Sequence, residues 1–141
     1  MDNRKFPQYI DMERSKQEKI SQLTGQETSP FNKLSQKEVL FFAAAVGLHF
    51  NLKEPISNPV NAIVYKLLSQ ELKIIVDVVA LKAHSFDTNS ILDGKLVIET
   101  FEEYSNGGLS KLYSMVMNRE EQSELEKEIF DILGMAQIKS T

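Results

Sequence analysis

The sequence predicts a mostly α fold: a compact single-domain bundle of five to seven helices with a buried, Ala/Phe-rich central helix. Three observations predict it. Apolar residues recur at three- and four-residue spacing through most of the chain. The run Leu34-Ser35-Gln36-Lys37-Glu38-Val39 is a capping box that opens an almost wholly apolar segment ending at Val46. A length of 141 residues with 42% hydrophobic and 26% charged content suits one core that needs no staple.

Each element follows from local chemistry. Residues 1–8 are expected to fray, since Pro7 disfavours helix at Phe6. Tyr9 to Leu23 is rich in helix formers and poor in apolar positions, so it reads as a peripheral helix stopped by Gly25. Gln26 to Lys33 is a polar loop. Ser35 and Glu38 cap the next helix reciprocally, and Gly47 is its expected stop. Phe41 and Phe42 point about 100° apart and should pack against different neighbours.

Leu48 to Ser57 reads as a connector. Asn58-Pro59 reads as a helix cap with proline in the first turn. Val60, Ile63, Val64, Leu67 and Leu68, then Leu72, Ile75, Val76, Val79 and Ala83, continue the helical spacing. One helix over 59–83, or two broken near Ser69, both satisfy it. A short strand through the β-branched run Ile74 to Val79 is the alternative to helix there. After a loop at His84 to Asn89 and a turn at Asp93-Gly94, Val97, Ile98, Phe101 and Tyr104 share a helical face. Asn106-Gly107-Gly108 should end that helix and turn the chain. Leu109, Leu112, Tyr113 and Val116 then form a further face. Asn118 with Glu121 opens a last helix, and 136–141 should fray.

Composition narrows the function classes. The chain has no cysteine, which excludes disulfides and thiolate chemistry. Its longest apolar run is about half a membrane span, and no signal-like segment opens it, so a cytoplasmic protein is expected. Net charge is −4 and uneven: residues 93–141 hold five Lys/Arg against ten Asp/Glu. That acidic third disfavours contact with a phosphate backbone. Arg4, Lys5, Arg14, Lys16 and Lys19 form the one basic cluster that could touch nucleic acid, with Asp11, Glu13 and Glu18 interleaved.

No catalytic constellation is visible, and no metal or cofactor is implied. His49 and His84 lack partners at ligand spacing. Glu99 and Glu103, four apart, could share a proton or a divalent metal, but a solvated helix face explains them more simply. Gly107-Gly108 lacks the pattern of a phosphate loop. Glu102, Glu103, Tyr104 and Asn106, around the expected corner, are the candidate partner-binding residues. The Ser35-to-Gly47 helix is a candidate dimer-forming element within a DNA-binding alternative.

Three segments resemble one bacterial family, the DNA phosphorothioation-associated protein 4 family (dnd system-associated protein 4). Lys37 to Gly47 resembles the family's alanine-rich helix. Glu54-Pro55-Ile56 follows it, and Phe101-Glu102-Glu103-Tyr104-Ser105-Asn106-Gly107-Gly108-Leu109 is similar to a family run with alanine where Ser105 stands. The resemblance spans roughly residues 37–113. It implies a non-enzymatic adaptor or regulator of an anti-phage system that modifies DNA with sulfur or restricts unmarked DNA. The partner implied is a larger protein of that system. A DNA-binding accessory protein or repressor, dimeric in one form, is the alternative, and a metal-dependent enzyme using Glu99 and Glu103 ranks below both.

Overall fold

A computed structural model of the chain describes residues 2–118. Strand β1 (Tyr9–Glu13) leads through a 3-10 turn into α1 (Gln17–Gly25) and then α2 (Gln36–Phe50). Strand β2 (Pro59–Val64) and a second 3-10 turn precede α3 (Gln70–Ala83). A third 3-10 turn leads into α4 (Gly94–Met117). The chain is mostly helical: the described residues hold these four α-helices and one two-stranded antiparallel sheet. The expected last helix and the frayed end at 136–141 lie outside the described residues. No helix among the described residues is long and apolar enough to cross a membrane.

Two segments read as helix are strands. Tyr9–Glu13 pairs with Pro59–Val64 in the register Tyr9↔Val64 to Glu13↔Pro59, with an irregularity between Ile10 and Asp11. Helix formers predominate after Tyr9, but Ile10 and Met12 are buried two residues apart, the alternation of a strand. In β2, Val60, Ile63 and Val64 favour a pleated surface, and Pro59 sits at the strand's first position. Tertiary pairing across more than forty residues overrides propensity here. Ser69 starts the helix that follows, its hydroxyl accepting from the Leu72 N–H at 3.3 Å. Ile74 to Val79 is helical, not strand.

The capping box at Ser35 is formed. The Glu38 N–H donates to Ser35 Oγ at 3.2 Å and the Ser35 N–H to Glu38 Oε1 at 3.0 Å. Ser35→Ala should destabilise the fold by about 1 kcal/mol in urea titrations. Phe42 packs edge-on against Phe31 and Phe41 against Phe101, the divergent neighbours their spacing requires. The helix passes through Gly47 and ends three residues later, where Asn51 takes the left-handed conformation at φ 55°. Val39, Leu40, Ala43, Ala44, Val46 and Gly47 are buried within the chain, while Phe41, Phe42, Leu48 and Phe50 are partly buried.

The largest helix contact is α2 on α4, and α3 and β1 also pack against α4. Residues 2–8, expected to fray, carry no regular element, yet they are tied down. Arg4 pairs with Asp77 at 2.7 Å and donates to the Ile91 carbonyl, and Phe6 stacks on Tyr65.

Candidate functional site

The Asn106-Gly107-Gly108 run does not turn the chain. It lies inside α4, which continues unbroken to Met117. A pair of glycines within a helix costs about 2 kcal/mol relative to alanine, so packing must offset it. A Cβ on Gly108 would strike the Ala43 carbonyl, one on Gly47 the Tyr104 carbonyl, and one on Gly107 the Leu52 carbonyl. The glycines therefore let α2 and the following connector approach the α4 backbone from two sides. Ser105 adds a polar tie at this crossing, its hydroxyl donating to the Leu40 carbonyl at 3.1 Å.

Beyond Asn51 the connector runs back along α4. The Glu54 N–H donates to the Glu103 carbonyl at 3.1 Å. The Asn106 amide donates to the Glu54 and Pro55 carbonyls at 3.1 and 3.2 Å. Lys16, buried, donates to Glu54 Oε2 at 3.0 Å and to the Asn106 carbonyl at 2.9 Å. Glu13 accepts from the Ser57 N–H, the Ser57 hydroxyl and the Asn58 N–H, and these bonds, the Ser57 N–H first, hold its carboxyl below the usual range.

This arrangement opens an acidic cleft of about 320 Å³, walled by Pro55, Ile56 and Pro59 and lined by Asp11, Glu99, Glu102 and Glu103. The three glutamates share one α4 face by their i, i+3, i+4 spacing. Asp11 enters from β1 at the strand irregularity, which re-aims its side chain. Glu102 Oε2 accepts from the Asp11 N–H at 2.6 Å. Burial pushes Glu102 up to about 7; the neighbouring charges of Asp11, Glu99 and Glu103 add to the rise, and the Asp11 N–H opposes it. Burial also raises the Asp11 carboxyl, and its Oδ1 is buried without a hydrogen-bond partner. Glu99 pairs with Lys95 at 3.8 Å and Glu103 with Lys53 at 3.7 Å. Among the described residues no group of three His, Asp or Glu side chains is placed to hold a metal ion.

The four residues expected around a corner thus divide by position. Glu102 and Glu103 line the cleft, whereas Tyr104 and Asn106 are buried behind it. Three of the five cations take separate partners. Arg4 binds Asp2 and Asp77, Lys16 is buried at Glu54, and Lys19 lies 4.2 Å from the Tyr113 ring centroid. Lys5 and Arg14 are exposed. His84 caps the end of α3 with its ring 3.4 Å from Thr100 Oγ1. The place of Asp11 in the cleft was hidden by the helical reading of β1; the Ile10/Met12 alternation was the signal for it.

A family model described as DNA sulphur modification system-associated protein 4 matches residues 10–140. The chain belongs to that family. The match extends past the 37–113 span of the resemblance at both ends. No curated protein and no solved structure matches the chain. Membership ties the protein to a DNA sulphur modification system. In space, the three segments that carry the resemblance meet: Gly47 of α2 sits on Tyr104 and Gly108, and the connector through Glu54 and Pro55 is bonded to Glu103 and Asn106.

Proposed function

We propose that the protein is a non-enzymatic accessory of a bacterial DNA phosphorothioation modification or restriction system with an anti-phage role. It acts in the cytoplasm by protein–protein interaction, and the acidic cleft receives a basic segment of a larger protein of that system. The observation that carries this reading is the cleft lining. Carboxylates at the rim with Pro55, Ile56 and Pro59 along the wall suit a lysine or arginine, whose aliphatic stem packs while its cation pairs. Family membership supports the setting. Asn106 serves as a support that holds the connector and α4 in register, and Tyr104 lies buried behind the cleft where α4 meets Gly47 of α2.

The test is affinity purification of the tagged protein from its native host, with and without nuclease. A nuclease-resistant complex with a modification or restriction protein is expected. The double variant Glu99→Gln/Glu103→Gln should lower recovery of that partner about tenfold, a 1.4 kcal/mol effect at an interfacial charge pair. Unchanged recovery by the variant would remove the cleft from the reading. Recovery that depends on intact DNA would replace it with the DNA-binding alternative.

A further inference from the structure

Among the described residues six large apolar side chains are exposed, and five of them lie on or beside α3. These are Leu67, Ile74, Ile75, Val78 and Phe86, each between 44% and 76% exposed. The helix buries Val76, Val79 and Ala80 on its inner side, so its outer face would ordinarily be polar. Instead Glu71, Ile75, Val78 and Lys82, spaced four, three and four apart, form one exposed stripe. Among the described residues neither Glu71 nor Lys82 has an ion-pair partner.

The stripe is self-complementary. A point midway between Ile75 and Val78 along α3 is also midway between Glu71 and Lys82. Two copies of α3 crossing antiparallel about a two-fold axis at that point would bring each residue against its counterpart. Ile75 would meet Val78 of the other copy, and each Glu71 a Lys82. This is the pairing rule of an isologous interface. A parallel pairing would instead oppose Glu71 to Glu71 and Lys82 to Lys82.

The end of α3 supports a surface shaped for contact. The Phe86 N–H donates to the Leu81 carbonyl at 2.6 Å and the Ser85 N–H to the Lys82 carbonyl at 3.3 Å, the two bonds of a Schellman ending. Ser85 and Phe86 both take positive φ, 56° and 63°, a strained conformation for a bulky side chain. That conformation leaves Phe86 67% exposed, so burial among the described residues does not repay it.

We infer that a second copy of this chain covers the outer face of α3 in an antiparallel, two-fold homodimer. This inference does not depend on the acidic cleft, which is lined from β1, the connector and α4. Sedimentation velocity over a concentration series should show a monomer–dimer equilibrium. Val78→Glu should leave helicity by circular dichroism unchanged and abolish the dimer. Glu71→Lys and Lys82→Glu should each weaken dimerisation about tenfold, and the two together should restore it.

The cysteine-free sequence allows a direct check of orientation. Glu71 and Lys82 lie about 16 Å apart along one helix, too far for a disulfide within a chain. The double variant Glu71→Cys/Lys82→Cys should therefore form a covalent dimer on oxidation, and neither single variant should. A chain that stays monomeric at every concentration overturns the inference. So does a dimer indifferent to Val78→Glu, a covalent dimer from either single cysteine, or a different host protein bound to this face while the chain remains monomeric.

Discussion

Gly108→Ala should cost at least about 3 kcal/mol of folding stability, the largest effect expected of a methyl at any described glycine. The added Cβ would meet the Ala43 carbonyl oxygen, and the Ala43 carbonyl carbon and the Gly47 nitrogen lie within 2.7 Å of its position. All three are backbone atoms of α2, so no rotamer change can make room. Relief requires α2 and α4 to separate, which loosens the buried contacts of Leu40, Ala43 and Phe101 along their crossing. The alanine's better helix propensity returns only about 1 kcal/mol. Gly25→Ala is the matched control, because nothing lies within 4 Å of a Cβ there. It should be neutral or slightly stabilising. Chemical denaturation of both variants checks the prediction: equal, small effects would mean that α2 and α4 do not approach as closely as described.

The same glycines show how far the sequence could be read. The capping box at Ser35, the divergence of Phe41 and Phe42 and the helical spacing of α3 are set by residues a few positions apart, and each is legible locally. The strand pair is different. Tyr9–Glu13 and Pro59–Val64 become strands because each supplies the other's hydrogen bonds, and nothing near either segment announces a partner so distant. Gly107-Gly108 was legible as a special place but not as the right kind. Two adjacent glycines satisfy the chemistry of a helix end and of a close helix crossing equally well. The deciding signal lay on another element: Ala43 and Gly47, four apart on α2, offer a face as bare as that of α4. Of the candidate site, the α4 carboxylates were visible from their spacing, but the contribution of Asp11 depended on the unseen strand. Ser105 ties the two helices at this crossing through the Leu40 carbonyl it bonds.

Glu102→Gln should make the protein more stable at pH 8 and leave it unchanged near pH 4. Glu102 ordinarily titrates near 4.5, and burial beside Asp11, Glu99 and Glu103 lifts it to about 7 in the folded chain. Between those values the folded state holds a proton that the unfolded state has released. Stability contributed by the neutral carboxyl is therefore complete below about pH 4.5, falls as pH rises through this window, and is gone above about 7. Because Glu102 keeps some solvent contact, the loss is about 1 to 2 kcal/mol rather than the full value of the shift. Glutamine keeps an oxygen to accept the Asp11 N–H and removes the charge, so it should recover that amount at pH 8 and almost nothing at pH 4. Urea midpoints of both proteins across this range decide the matter. A gain of equal size at both pH values would place its origin in packing. A loss at pH 8 would mean that the charged carboxylate, held by the Asp11 N–H, is the form the fold prefers. In the proposed complex a cation entering the cleft would favour ionised Glu102, so docking should release a proton near neutral pH and weaken as the pH falls below 7.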